Sequence, residues 1–414
     1  MKYGLIGEKL GHSYSKSIHG LLGNSEYELK EIPPEEVDGF LDNAKFKGIN
    51  VTIPYKEKVM PYVIPDEVSK KIGCVNTVVN KNGKLYGYNT DYYGFSCTVK
   101  RSGINFSGKK VIILGSGGTS KTAASVAGDQ GAEKIIIISR GGENNYDNVS
   151  DHSDADIIIN TTPVGMYPDN ASSPIDLDIF SKPEAVIDVV YNPLRTKLII
   201  DAEKLGITTA RGLPMLVCQA IRSNELFFED DFKDKTHHDT ISSPDVFFEK
   251  ILSETESHYS NIVLIGMPGC GKTTIGEKLA HHMGRVFYDT DLAIETTTGR
   301  KIPDIIQEDG EVLFREYESR IVTEAAAGTE LVIATGGGVV LAKKNRDALR
   351  QNGLIIFLDR PISDLETTDR PLSVDLQALY RQRLHIYKDL CHYRISTEES
   401  IDATVEKIMR KLME

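Results

Sequence analysis

IVLIGMPGCGKTT, residues 262–274, decides how the C-terminal part of this chain folds. Four apolar residues that read as a buried strand run up to Gly266, and Gly266-Met-Pro-Gly269-Cys-Gly271-Lys272-Thr273 follows, which is G-x-x-x-x-G-K-T in full. Glycines let consecutive backbone N–H groups turn inward around phosphate oxygens, and the helix that comes next offers its N-terminus to the same charge. Gly266, Gly269, Gly271, Lys272, Thr273 and Thr274 are therefore predicted to hold a nucleoside triphosphate, with Lys272 reaching the β- and γ-phosphates and the Thr273 hydroxyl ligating Mg²⁺. An ordinary strand-turn-helix with a surface lysine is the plainer reading, and the strand-like lead-in argues against it.

Outward from this loop toward the C-terminus, VFYDTD (286–291) places Asp289 and Asp291 two residues apart at a strand end. Two such groups need different tasks. One can meet Mg²⁺ through water and the other can take a proton from an attacking hydroxyl; acidic residues capping a helix are the alternative. GEVLFREYE (310–318), a strand LVIATGGGVV (331–340), DRPL (369–372) and Arg383, four residues before Tyr387, complete the pattern.

Toward the N-terminus, residues 229–260 lose periodicity: acidic residues, His237-His238 and Ser242-Ser243-Pro244 precede a short amphipathic VFFEKIL. This is the expected inter-domain boundary, and the paired histidines read as solvated linker because no third metal ligand stands nearby. Before it, KKVIIL (109–114) is a buried-type strand, and Gly115-Ser-Gly117-Gly118-Thr119-Ser-Lys-Thr122 opens a helix behind it, a dinucleotide-type phosphate turn. Ser120 stands where a second P-loop would need glycine. About 20 residues on, after KIIII (134–138), come Ser139 and Arg140, where an NAD site has an acidic residue; a cation there accommodates a 2′-phosphate and favours NADP. The interval from Arg140 to Asn160 has little room for both a helix and a strand, so one edge of this sheet is expected to be trimmed.

The first hundred residues alternate short strands and helices. YGLIG (3–7) and INVTIP (49–54) read as strands, and CVNTVVN (74–80) with LYGYNTD (85–91) as a hairpin turning at Lys81-Asn82-Gly83-Lys84. Lys56 after a strand and Asp91 after the hairpin are the charged pair able to relay a proton to or from a hydroxyl that a nicotinamide oxidises or reduces. With 414 residues the chain is long enough for about two or three domains, and a net charge of −12 speaks against a general nucleic-acid or anionic-membrane surface. Five cysteines lie far apart in the sequence without a C-x-x-C, which fits a reduced, cytoplasmic compartment, and no apolar run approaches membrane-spanning length. Small molecules are the expected partners, with no nucleic acid and no membrane, and a homodimer stays open.

HSYSKSIH (12–19), NVTIPYK (50–56), CVNT (74–77), GYNTDYYG (87–94), the glycine turn, NTTPVGM (160–166), DVVYNPLRT (188–196) and GLPMLVCQA (212–220) together resemble shikimate dehydrogenase over residues 1–230. The resemblance implies NADPH-dependent reduction of 3-dehydroshikimate to shikimate, gives Lys56 and Asp91 the catalytic roles, and places Ser13, Ser15, Thr52, Asn76, Tyr191 and Gln219 around the substrate. Lys16, Gly20 and Cys74 depart from the family's usual residues. Residues 260–414 resemble shikimate kinase. Carried over, Asp291 binds shikimate and is the base, Asp289 and Thr273 serve Mg²⁺, Arg315, Arg383, Gly337 and Gly338 hold shikimate, and Lys272 and Arg370 stabilise the transferring phosphoryl group. The lid segments between Leu358 and Arg370, and between Leu372 and Arg383, are shorter than is usual for that family.

The expected architecture is α/β throughout: a substrate domain (1–101), a Rossmann-like NADP-binding domain (102–230) whose last helix returns to the first, a linker (231–259), and a P-loop kinase domain with a parallel sheet (260–414). Its implied function is bifunctional, making shikimate and phosphorylating it to shikimate 3-phosphate on the way to chorismate, with NADP(H), ATP and Mg²⁺ as cofactors. A dehydrogenase fused to a non-catalytic, ligand-binding kinase-like module is the alternative.

Overall fold

The computed structural model describes residues 1–11, 13–229, 244–365, 376–397 and 400–413. The chain divides into two compact units, Met1–Glu256 and Ser257–Glu414.

The first unit holds two sheets. Strands β1 (Tyr3–Gly7), β2 (Tyr27–Glu31), β3 (Gly48–Val51), β4 (Ile64–Pro65), β5 (Thr77–Lys81) and β6 (Lys84–Tyr88) form a sheet in the order β2-β1-β3-β5-β6-β4. Helices α1 (Ser15–Leu21), α2 (Val37–Asn43) and α3 (Glu67–Ile72) occupy its connections. The predicted hairpin is β5 and β6, antiparallel with Lys81 opposite Lys84; Asn82 and Gly83 both have positive φ, the backbone that a two-residue hairpin turn requires. Helix α4 (Thr90–Arg101), capped by the Asn89 side chain on Tyr92 N, then leads to a second sheet.

That sheet is wholly parallel. Its strands β7 (Lys110–Leu114), β8 (Lys134–Ile138), β9 (Ile157–Asn160), β10 (Ala185–Asp188) and β11 (Thr208–Ala210) lie in the order β11-β10-β9-β7-β8, with α5 (Gly118–Asp129) and α6 (Lys197–Lys204) among its connections. The near-continuous Val and Ile of β7 and β9 follow from burial on both faces. Among the described residues this sheet has no strand beyond β8, and between Ile138 and Ile157 there is only one short 3₁₀ turn, Val149–His152, so this edge is as short as the spacing predicts. Helix α7 (Gly212–Phe227) brings the chain back to seat Leu226 and Phe227 against Tyr3 and Leu5 of the first sheet.

The expected linker needs correction. Its second half is helix α8 (Pro244–Tyr259), with Phe248, Ile251 and Thr255 buried. Arg101 stacks over Phe248 at 4.0 Å and pairs with Asp245 at 2.6 Å, Arg211 pairs with Glu256 at 2.6 Å, and the first unit extends to Glu256. VFFEKIL is thus part of an amphipathic helix that packs Phe248 and Ile251 onto the first unit, with Phe248 beneath the Arg101 guanidinium. His237 and His238 lie outside the described residues.

The second unit is a single parallel sheet of β12 (Asn261–Ile265), β13 (Val286–Asp289), β14 (Leu331–Ala334), β15 (Gly353–Asp359) and β16 (Tyr393–Ser396), ordered β13-β14-β12-β15-β16. Around it lie α9 (Lys272–Met283), α10 (Thr290–Thr298), α11 (Ile302–Ala327), α12 (Lys343–Asn352), α13 (Leu376–Leu390) and α14 (Ile401–Met413). Gly310 (φ 88°) kinks α11 four residues before Phe314. LVIATGGGVV leaves the sheet at Ala334, so its three glycines form a loop at the carboxyl end of the central strands, where α/β sheets bind ligands.

Candidate active sites

In the first unit, Lys56 follows β3 and Asp91 sits in the first turn of α4, just after β6. The sheet order β3-β5-β6 brings these ends together. Lys56 Nζ lies 2.5 Å from Asp91 Oδ2, with both side chains mostly shielded (14% and 11% exposed). Asn76 donates its Nδ2 to Asp91 Oδ1 at 2.9 Å, and its own Oδ1 accepts the Thr90 N–H at 2.7 Å, so the carboxylate is held from both oxygens. Gln219 joins through Thr90, whose hydroxyl lies 3.3 Å from Oε1. Ser15 opens α1, its N–H bonded to Ser13 Oγ at 3.3 Å, and the Tyr191 ring rests 5.1 Å from that of Tyr14, the residue between those serines. Thr52 lies at the end of β3, its methyl beside Gly7.

The glycine turn faces this group. Gly115 has φ 107°, and a Cβ there would stand 2.8 Å from Thr161 Oγ1. A Cβ on Gly118 would lie 3.8 Å from both Lys56 Cδ and Cys74 Sγ. Gly117, Gly118 and Thr119 stand where α5 begins, and Gly118 lies beside the Lys56 side chain. Ser139 and Arg140 follow β8 at the sheet edge, with Arg140 exposed. Behind the site, Asn50, Thr77 and Ser223 form a buried hydrogen-bonded cluster with Thr90. Reading the sequence missed that cluster, because neutral polar residues carry no signal until the fold buries them together.

In the second unit, Gly266, Gly269 and Gly271 all have positive φ and wrap the loop ahead of α9. Lys272 lies over its own loop, donating to Gly266 O at 3.0 Å and Met267 O at 2.9 Å. Strand β13 ends at Asp289, whose Oδ1 caps α10 on Asp291 N (2.9 Å) and Leu292 N (3.2 Å). Its other oxygen accepts the Thr273 hydroxyl at 2.7 Å. One oxygen of this carboxylate thus caps the helix while the other faces the P-loop threonine. Asp291 projects from the first turn of α10 toward the glycine loop: a Cβ on Gly336 would come within 2.5 Å of its Oδ1.

Arg315 pairs with Glu318 at 2.8 Å, and its guanidinium lies where a Cβ on Gly338 would collide with it. Burial pushes the Glu318 carboxyl up, against the opposing pull of Arg315. Arg383 is buried, and its Nε has no hydrogen-bond partner among the described residues. Tyr387 donates to Gly337 O at 2.7 Å and lies 3.2 Å from Gly266 O, tying the glycine loop to the P-loop. One cavity of about 850 Å³ is lined by residues 269–274, Asp289, Asp291, Arg315, Gly337, Gly338 and Arg383. Arg360, Glu318 and Thr397 line it too and were not singled out from the sequence. Arg370 lies outside the described residues.

Comparison with known proteins matches the same two halves. The family model of the shikimate dehydrogenase substrate binding domain matches residues 5–78, and that of shikimate kinase matches residues 268–413. A shikimate dehydrogenase (NADP(+)) of Clostridium beijerinckii is 38% identical over 255 residues, covering 56% of this chain and 94% of the relative. Shikimate dehydrogenase 1 of Peptoclostridium difficile superposes with TM-score 0.54 at 36% identity, over 62% of this chain and 99% of that one. A shikimate 5-dehydrogenase of Thermus thermophilus, solved with NADP(H) and shikimate, gives 0.52 at 26% identity over 62% and 99%. Fold and sites define an enzyme with a dinucleotide-dependent oxidoreductase half and a P-loop phosphotransferase half. The chain belongs to the shikimate dehydrogenase family over its first unit and carries a shikimate kinase domain in its second. Among the described residues no helix is long and apolar enough to cross a membrane.

Proposed function

We propose that the first unit reduces 3-dehydroshikimate to shikimate with NADPH, and that the second phosphorylates the 3-hydroxyl of shikimate with ATP and Mg²⁺. The observation that carries the first step is the Lys56–Asp91 pair facing the Gly118 turn. NADPH, when bound, supplies the hydride. The Lys56 ammonium gives a proton to the carbonyl oxygen as it becomes a hydroxyl, and Asp91 holds that ammonium in place. Ser13, Ser15, Thr52, Asn76, Tyr191 and Gln219 offer the hydroxyl and amide groups that match a polyhydroxylated carboxylate. Arg140, at the edge beside the glycine turn, supports NADP over NAD.

For the second step the supporting observation is the shared cavity of P-loop, Asp291, Arg315 and Arg383. Arg315 and Arg383 suit a carboxylate, which a planar guanidinium binds bidentately and without losing charge. Asp291 takes the proton of the attacking hydroxyl, and Lys272 leaves its loop carbonyls for the phosphates. The oxygen donors Thr273 and Asp289, 2.7 Å apart, fit Mg²⁺, which keeps several waters and takes few protein ligands. Bound there, the ion neutralises charge on the transferring phosphoryl group.

A coupled assay tests both steps. The purified chain is given 3-dehydroshikimate and NADPH, with and without ATP and Mg²⁺, while NADPH loss and shikimate 3-phosphate are followed. The expected outcome is NADPH consumption in either case and phosphate ester only with ATP. Accumulation of unphosphorylated shikimate would make the second unit a binding module.

A further inference from the structure

Tyr27 of β2, Asn50 of β3, Thr77 of β5, Thr90 of α4, and Gln219 and Ser223 of α7 are buried together behind Asp91. Asn50 and Thr77 stand opposite each other across the β3–β5 pair. Helix α4 comes close to α7 at Gly94, where a Cβ would lie 2.6 Å from Met215 O and 3.0 Å from Gln219 Cβ. Chemistry then fixes which way the hydrogen bonds run. Asn50 turns one end of its amide to the Tyr27 hydroxyl (2.7 Å) and the other to Ser223 Oγ (2.8 Å), Thr77 Oγ1 (3.0 Å) and the Asn76 carbonyl (3.4 Å). A carbonyl only accepts, so the second end is the NH₂, and Tyr27 donates its proton to Oδ1. Burial raises that phenol well above its usual range and the His19 ring stacks on it at 3.8 Å, so it stays protonated and in place. Gln219 obeys the same rule: its Nε2 lies 3.1 Å from Leu216 O, which leaves Oε1 turned to the Thr90 hydroxyl at 3.3 Å, and Thr90 donates.

We propose that Tyr27 and Thr77 are positioning residues of the dehydrogenase half, which through Asn50 and Thr90 hold the Gln219 amide with its oxygen inward and one N–H free for the substrate. The inference rests on the dehydrogenase reading, with Gln219 facing the substrate. Ser223 gives its own proton to Gln219 O at 2.9 Å and accepts one from Asn50. Thr77 accepts the other Asn50 proton, and its hydroxyl completes Thr90 Oγ1 at 3.0 Å, so the Thr90 proton is left for Gln219 Oε1. The direction set at Tyr27 thus passes along Asn50, Thr77 and Thr90 to the amide. Gln219 Nε2 carries two protons, and Leu216 O takes one. The remaining one meets the substrate, so Gln219 recognises a hydroxyl or carboxylate oxygen strictly as a donor.

Variants of the full chain test this. Thr77→Val keeps the shape and removes the hydroxyl, Thr77→Ser keeps the hydroxyl, and Tyr27→Phe removes the first donor. Thr77→Val and Tyr27→Phe should each raise the KM for 3-dehydroshikimate about tenfold and leave the NADPH KM and the kinase rate unchanged, and Thr77→Ser should restore it. Gln219→Leu removes the amide, and adding Thr77→Val to it should cost nothing further, because Thr77 acts through that amide. Equal losses in the two backgrounds, or a Thr77→Val chain with the parent's KM, would overturn the proposal. A second readout needs no substrate. NMR of the chain labelled at its glutamine side-chain nitrogens identifies the Gln219 amide by its loss in Gln219→Leu. Its protons should exchange slowly with solvent in the parent and faster in Thr77→Val, and equal exchange would overturn the positioning. A parent with a protected amide that leaves 3-dehydroshikimate unreduced would instead overturn the assigned substrate.

Discussion

Lys56 and Asp91 are 35 positions apart, yet their charges meet at 2.5 Å, and Asn76 fixes the carboxylate from its other oxygen. Lys56→Ala removes the proton donor, and Asp91→Asn removes the charge that holds it. Each should lower the dehydrogenase kcat about a hundredfold to ten-thousandfold while the same preparation keeps its kinase rate. Full dehydrogenase activity in either variant would remove that residue from the mechanism. Asp291→Asn should still bind ATP, because the P-loop does not depend on it, and lose phosphorylation by a comparable factor. Isothermal titration with ATP beside a turnover assay separates the two effects, and unchanged turnover would dismiss Asp291 as the base. Asp289 shows what residue types alone leave open. Its spacing from Asp291 announced two carboxylates with different tasks, but only the end of β13 decided that one oxygen of Asp289 caps a helix and the other meets Thr273.

At the scale of elements, Asp188 holds the loops at the carboxyl ends of β9 and β10. Its carboxylate accepts Asn160 Nδ2 at 3.0 Å, Val190 N at 3.0 Å and the Thr196 hydroxyl at 2.6 Å. Burial raises this carboxyl to about 7 against those three hydrogen bonds. A carboxyl raised in the folded state binds its proton more tightly there than in the unfolded chain. Its contribution to stability is therefore complete below about pH 4 and is lost as pH rises through about 7. Asp188→Asn can keep all three partners by turning the Thr196 hydroxyl from donor to acceptor. Urea midpoints of the full chain should fall less between about pH 5 and pH 8 in the variant than in the parent, and an equal fall would exclude Asp188 as the source. DVVYNPLRT was legible as part of the family resemblance; that its aspartate is a buried brace was not, since burial of a carboxylate cannot be read from its neighbours in sequence.

On the scale of the whole molecule, α8 carries a consequence that a linker would not. Phe248 is buried beneath Arg101, so Phe248→Ala should cost the first unit about 3 kcal/mol in guanidinium unfolding followed by dehydrogenase activity, with the kinase transition unmoved. No change would mean that this helix is a passive connector. The sequence by itself determined the two α/β halves, the P-loop and the dinucleotide turn, because these rest on local rules: buried strands read as apolar runs, and glycine-rich turns must be contiguous to shape a backbone. It also determined the shortened sheet edge, since a span too short for a helix and a strand cannot hold both. Tertiary structure alone decided which distant groups share a site. Lys56 with Asp91 and the Gly118 turn, Asp291 beside Gly336, and the packing of Phe248 and Ile251 from VFFEKIL all depend on sheet order and helix register. Those are set by how the whole core is buried, which no short stretch of chain encodes.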